Sequence, residues 1–129
     1  MYNSDWYNSL IRPFLAPPSF IFTPVWIVLY ITLAIALILY VTEFSIKNKK
    51  SGYIYFAAQL LLNLVWSPVF FGMKNILLAL IIILLMDLFV ILTIKQFYSI
   101  SKLAGIILIP YLLWILFATY LNIGYFVLN

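Results

Sequence analysis

The chain has 129 residues, 67% apolar, 19% aromatic and only 8% charged, with a formal net charge of +4. Water-soluble domains carry about 25% charged residues, so there is too little polar surface here to cover a globule in water. With neither Cys nor His in the sequence, disulfides, thiolate nucleophiles, cysteine metal sites, imidazole bases and histidine-ligated haem are excluded.

The chain opens on a polar, aromatic and proline-rich stretch, 1–19, that carries Trp6-Tyr7, Arg12-Pro13 and Pro17-Pro18 and leads into Pro24-Val25-Trp26. Asn, Ser, Asp and Arg stand where a secretory signal would need an apolar run, so no cleaved signal is expected. Four apolar runs follow, at about 20–42, 53–72, 76–97 and 103–127, each near the roughly 20 residues that cross a hydrocarbon core as a helix. Ile76 to Met86 contains no polar side chain, which is incompatible with the alternation of a barrel strand. The expected fold is therefore all-α and integral to a lipid bilayer: one domain, 1–129, formed by a bundle of four transmembrane helices.

The connections are short. Ser51-Gly52 is read as the end of the first loop, Gly72 as the close of the second helix, and Ser99 to Ser101 as the break between the third and fourth. No GxxxG pair marks a close helix crossing. Pro68 and Pro110 lie inside apolar runs, where loss of a backbone donor predicts a kink, and in lipid such a break must be satisfied by neighbouring helices or line a cavity.

The cations set the expected orientation. Lys47, Lys49 and Lys50 lie between the first two helices, and Lys95 and Lys102 between the last two, against only Arg12 and Lys74 on the other side. By the positive-inside rule the loops at 44–52 and 95–102 face the cytoplasm, leaving the proline-rich stretch and the C-terminus outside. The positive charge is thus a topology signal, and no nucleic-acid partner is predicted.

Two polar and aromatic stripes stand out. Gln59, Asn63, Trp66 and Phe70 recur at helical spacing, as do Pro110, Trp114, Ala118, Leu121 and Asn122. A pocket walled by Trp26, Trp66 and Trp114, with Asn63 and Asn122 as polar contacts and room beside Ala118, would suit a flat apolar ligand. Interhelical packing produces the same pattern, and Trp6, Tyr7 and Trp26 also fit interfacial anchors. Asp87, in the middle of the third run, costs at least about 2.5 kcal/mol on insertion scales and is expected to face the interior, pair, or be protonated. It reads as a candidate proton or ligand contact, or as a hydrogen-bonded packing residue. Lys95 is about 12 Å further along the axis and is expected to reach the membrane surface instead.

The motifs Trp6-Tyr7 to Arg12-Pro13, Pro17-Pro18 and Pro24-Val25-Trp26, then Asn63-Leu64-Val65-Trp66-Ser67-Pro68-Val69-Phe70-Phe71, then Pro110-Tyr111-Leu112-Leu113-Trp114 with Ala118, Leu121 and Asn122, resemble in order those of the TspO/MBR family of tryptophan-rich sensory and translocator proteins. The resemblance covers Trp6 to Asn122. It implies a bundle enclosing a pocket for tetrapyrroles such as protoporphyrin IX, for sterols in animal members and for synthetic isoquinoline or benzodiazepine-type drugs. It places Trp26, Asn63, Trp66, Trp114 and Ala118 at the ligand. The loop of Trp6, Tyr7, Arg12, Pro13, Pro17, Pro18 and Pro24 would be a lid, with Arg12 near a porphyrin propionate. A homodimer and a bacterial cell membrane are expected, with no required cofactor and no metal.

Family members have five helices, and the one expected before Trp6-Tyr7 is missing from the sequence. Either this is a four-helix variant or its start lies downstream of the true one. A sterol motif would need a cation after Tyr125, and Phe126 to Asn129 has none. Asp87 lies outside the motifs. Three functions follow: a tetrapyrrole-binding sensor or regulator, a small proton-coupled transporter using Asp87, or a light-dependent porphyrin-degrading activity. For the last, no His or Cys nucleophile and no paired carboxylate supplies a catalytic residue.

Overall fold

The computed structural model describes residues 9–11, 13 and 21–129. Trp6, Tyr7, Arg12, Pro17 and Pro18 lie outside the described residues. Helix α1 spans Phe22–Thr42; α2 spans Lys50–Ser67 and runs on into a π-helical turn, Pro68–Gly72; α3 spans Ile76–Ile100, α4 Lys102–Ile107 and α5 Ile109–Leu128. Taken as continuous rods they make, among the described residues, four segments long and apolar enough to cross a membrane, Thr23–Thr42, Lys50–Gly72, Ile76–Ile100 and Lys102–Leu128.

Local chemistry sets the boundaries. After α1 the chain turns extended at Glu43, and the Lys49 ammonium folds back onto the carbonyls of Val41, at 3.1 Å, and Glu43, supplying positive charge where a helix leaves its last carbonyls unmatched. Asn75 caps α3 by accepting from the Leu78 N–H at 3.0 Å, and Ser101 caps α4 through the Ala104 N–H at 3.3 Å. Pro110 sits in the first turn of α5, where its missing N–H costs little; the irregularity it imposes falls at Leu108, between α4 and α5. Between α2 and α3 the chain reverses through Lys74, whose φ of 55° is left-handed.

The other proline acts within the bundle. Pro68 has no N–H to continue the ladder of α2, and the helix widens: Met73 donates to the Pro68 carbonyl at 2.9 Å, five residues back. In this wider turn three consecutive side chains, Val69, Phe70 and Phe71, are all buried, which an ordinary α-helical face would not allow.

Polarity is distributed as a lipid solvent requires. Ile27, Ile31, Ile38, Leu61, Leu84 and Leu113 are exposed, whereas Gln59, Asn63, Asp87, Thr93 and Asn122 are buried. Lipid tails are as apolar as leucine, so helix association must come from close packing and interhelical hydrogen bonds. The α2–α3 contact is the most extensive, α3–α5 follows, and α1 lies on α4 and α5. The buried edge of α1 is Trp26, Leu29, Leu33, Ala36 and Tyr40, at spacings of three and four.

Tyr40 locks the lysine-bearing end. Its ring stacks on Phe97 at 4.1 Å and 8°, Phe97 stacks on Phe56, and its hydroxyl donates to the Lys49 carbonyl at 2.9 Å. Gly52 lies inside α2 rather than ending a loop, because the helix already starts at Lys50 and a Cβ at position 52 would overlap the Tyr40 ring. Gly105 likewise lets α4 approach the backbone of Tyr98. Close approach thus rests on single glycines rather than a GxxxG pair. Lys47 donates to the Ser99 carbonyl at 3.2 Å, so both lysine-rich loops sit at one end of the bundle.

Candidate functional site

The two stripes read from the sequence meet towards the other half of the bundle. Gln59, Asn63, Trp66 and Phe70 are all buried on α2 and its π turn. On α5 the inward face is Tyr111, Ile115, Ala118, Thr119, Leu121, Asn122 and Tyr125. Pro110 is exposed and Trp114 only partly buried, so the stripe expected through these two is rotated: Trp114 flanks the buried face, its ring 5.4 Å from that of Phe117, while Ala118, Leu121 and Asn122 face inward as expected.

An aromatic cluster joins α1 to α2. The Trp26 ring lies 6.1 Å from Tyr30 and 6.4 Å from Trp66, and Trp66 continues to Phe70 at 5.3 Å. Phe70 in turn reaches Tyr125 on α5 at 6.1 Å. These spacings suit offset or tilted aromatic pairs. Trp26 is buried, and among the described residues its indole N–H has no hydrogen-bond partner. Buried donors are almost always paired, so this one stands out.

Beneath the cluster runs a directional chain of hydrogen bonds. The Tyr30 hydroxyl donates to Asn63 Oδ1 at 2.6 Å, the Asn63 amide donates to the Tyr111 hydroxyl at 2.7 Å, and Tyr111 donates to Gln59 Oε1 at 2.7 Å. Each group donates onward once, an arrangement in which the bonds polarise one another. The chain ends at Gln59 Nε2, which has no partner among the described residues. A second connection runs from Trp66 Nε1 to Asn122 Oδ1 at 2.9 Å and from the Asn122 amide to the Ile76 carbonyl at 3.1 Å, tying α2, α5 and the start of α3 together. Asn63 and Asn122, expected as polar contacts for a ligand, thus have their amides committed to neighbouring helices.

Asp87 faces the interior and meets α5. Thr119 Oγ1 lies 2.7 Å from Asp87 Oδ2 and 2.8 Å from the Ile115 carbonyl, and a hydroxyl has one hydrogen to donate between them. Asp87 Oδ1 has no partner among the described residues. Lys95 is exposed, away from this carboxyl. Of the lid residues, Pro13 and Pro24 are described: Pro24 is exposed near the start of α1, and Pro13 is buried against Gly124 of α5.

Sequence reasoning did not single out Tyr30 or Thr119, it weighed Tyr125 only for a sterol motif, and it quoted Tyr111 only inside a motif. Spacing carried the signal: Tyr30 follows Trp26 by one turn, Thr119 precedes Asn122 by three residues, and Tyr125 follows Asn122 by three.

Comparison with known proteins agrees with this architecture. The family model of the TspO/MBR family matches residues 1–128. The chain belongs to the TspO/MBR family. It is 42% identical over 127 residues to the tryptophan-rich protein TspO of Chlorobaculum tepidum, covering 98% of this chain and 80% of that protein. Identity to the tryptophan-rich sensory protein of Cereibacter sphaeroides is 36%, covering 92% and 73% of the two chains. To the human translocator protein it is 35%, covering 91% and 70%. TspO/MBR membership and the four apolar rods together establish an integral membrane protein whose polar and aromatic side chains converge inside a helical bundle.

Proposed function

We propose that this TspO/MBR protein binds a flat tetrapyrrole such as protoporphyrin IX between α1, α2 and α5 and acts as a membrane sensor or regulator in porphyrin handling or stress response. The observation that carries the reading is Trp26. Its buried indole N–H has no partner among the described residues and sits in an aromatic cluster with Trp66 and Tyr30. A ligand carbonyl or carboxylate would complete that donor, and the rings would stack on a planar macrocycle. Trp114 and Ala118 would flank the ligand, while Asn63 and Asn122 would hold Tyr111 and Trp66 in place. The stretch 1–19, with Trp6, Tyr7, Arg12, Pro13, Pro17 and Pro18, would cover the site, with Pro24 beside it at the start of α1.

Titration with protoporphyrin IX in detergent tests this. Tryptophan fluorescence should quench saturably, and Trp26→Phe, which keeps a ring but removes the donor, should weaken binding about tenfold. Non-saturable quenching in the parent protein overturns the reading. We further infer a homodimer in a bacterial cell membrane, with the lysine-rich loops cytoplasmic; their shared end of the bundle supports that orientation.

The second reading is proton-coupled transport through Asp87. Its support is a buried carboxyl whose Oδ1 has no partner among the described residues. Transport into proteoliposomes that follows an imposed pH gradient and disappears in Asp87→Asn would favour it over sensing.

A further inference from the structure

At the lysine-bearing end, the loop between α1 and α2 turns its apolar side chains outward. Phe44 is 90% exposed and Ile46 96%, more than any other large apolar residue among the described residues. Hydrogen bonds fix the loop in this shape. Ser45 Oγ accepts the Lys47 N–H at 3.0 Å, and Asn48 Oδ1 accepts the Lys50 N–H at 2.8 Å. The Lys49 ammonium is held by carbonyls at the end of α1, its own carbonyl by the Tyr40 hydroxyl, and Lys47 ties the loop to the Ser99 carbonyl. Two apolar side chains are thus presented by a loop whose other residues, Glu43, Ser45, Lys47, Asn48 and Lys49, are all polar.

Their surroundings indicate the solvent they meet. The exposed residues of α1, Ile31, Ile35, Ile38 and Val41, follow one another at spacings of four and three and lead directly to Phe44, so the loop continues the surface given to lipid. The 21 residues of α1 rise about 30 Å, the thickness of a hydrocarbon core, which puts Phe44 and Ile46 at its edge. Tyr53 and Tyr98 are partly exposed at the same end, as amphipathic rings at headgroup level are. Lys50, Lys95 and Lys102 are exposed there too, and Glu43 is the only carboxylate in either lysine-bearing loop.

We propose that the loop at 43–49 is an in-plane anchor for an anionic phospholipid surface. Phe44 and Ile46 enter the boundary between headgroups and acyl chains, and Lys50, Lys95 and Lys102 hold the headgroup phosphates. Lys47 and Lys49 have a different task, because their ammoniums are engaged by backbone carbonyls: they keep Phe44 and Ile46 turned towards the leaflet. The excess of positive charge selects an anionic leaflet over a zwitterionic one. The anchor is independent of any ligand inside the bundle.

The chain has no cysteine, so one spin label at Ile46→Cys reports the loop alone. In nanodiscs of phosphatidylcholine mixed with phosphatidylglycerol, oxygen from the acyl region should reach this label better than a neutral, water-soluble nickel chelate does. The same label at Asn48→Cys should favour the chelate. Phe44 is exposed, so Phe44→Ser removes lipid contact without a packing cost; it should lower the oxygen-to-chelate ratio at position 46 about tenfold, the scale of partly burying one phenylalanine. Replacing phosphatidylglycerol with phosphatidylcholine, or combining Lys50→Gln, Lys95→Gln and Lys102→Gln, should lower it about fivefold or more, and raised salt should act likewise in the mixed lipid. Equal accessibility at positions 46 and 48 overturns the anchor and leaves Phe44 and Ile46 to a protein partner. Insertion that is the same in both lipids and in the triple lysine variant overturns the selection of anionic lipid.

Discussion

Trp66 on α2 donates its indole N–H to Asn122 Oδ1 on α5 at 2.9 Å, and the same amide donates to the first carbonyl of α3. One side chain thereby fixes the orientation of an aromatic ring and the meeting point of three helices. Interhelical hydrogen bonds in membranes contribute about 0.6 kcal/mol on average and up to about 1.7. Asn122→Leu removes two of them, so a loss of about 1–3 kcal/mol is expected in SDS-titration unfolding. A loss below that range, with tryptophan emission unchanged, would show that packing alone holds Trp66.

The ends of the Tyr30–Asn63–Tyr111–Gln59 chain should behave differently from its middle. Tyr111→Phe deletes the hydroxyl that accepts from Asn63 and donates to Gln59, leaving two buried amide groups unmatched, and should cost about 1–3 kcal/mol. Gln59→Met removes an amide whose nitrogen has no partner among the described residues, and should be milder. In the Gln59→Met background the Tyr111→Phe penalty should shrink. A double-mutant cycle measures that coupling, and strict additivity would contradict the chain.

Asp87 and Thr119 give a directional test. Thr119→Val leaves the buried carboxyl without its hydroxyl partner and should destabilise the bundle by about 1–3 kcal/mol. Asp87→Asn retains an oxygen for Thr119 while removing the group most costly to place in lipid, so stability should hold or rise. Thermal unfolding in one detergent compares the pair; Asp87→Asn as damaging as Thr119→Val would assign the carboxylate a structural charge partner.

The glycines should differ in how well they are rescued. Gly52→Ala meets the hydroxyl end of Tyr40, whereas Gly105→Ala meets the Tyr98 backbone. Overpacking costs about 1–3 kcal/mol. Adding Tyr40→Phe should recover part of the Gly52→Ala loss, and no side-chain change should recover Gly105→Ala. Unfolding midpoints of the single and double variants decide this.

At Lys74 the left-handed φ of 55° disfavours any side chain with a Cβ. Lys74→Gly should stabilise the α2–α3 turn by roughly 0.5–1 kcal/mol, read as a higher unfolding midpoint.

Much of this architecture is legible in the sequence because lipid leaves few solutions. Long apolar runs must be helices, and costly amides such as Gln59 and Asn63 must turn inward. The family was legible from Trp66, Pro68 and Phe70 through Asn122. Rotation about the axis was harder: Trp114 and Tyr111 are three residues apart, and periodicity in a nearly all-apolar helix does not say which faces the interior. Nor could one sequence disclose that Asn122 binds Trp66, since the pairing depends on how α2 and α5 cross. The role of Gly52 was hidden for the same reason, because its partner Tyr40 comes from another helix.

The wide turn at Pro68–Gly72 has a consequence for the length of the chain itself. It accommodates a surplus residue within a single turn, so removing one there would let α2 close into ordinary helical pitch while the chain before and after it keeps its orientation. The change would be confined to the turn itself, where Val69, Phe70 and Phe71, now all buried, would no longer all face inward. A deletion elsewhere in α2, with no wide turn to absorb it, would rotate everything after it by about 100°. In sequence comparisons among relatives, single-residue gaps within this rod should therefore fall at the wide turn, and the others in the loop between Glu43 and Lys49, where one residue more or less turns no buried face.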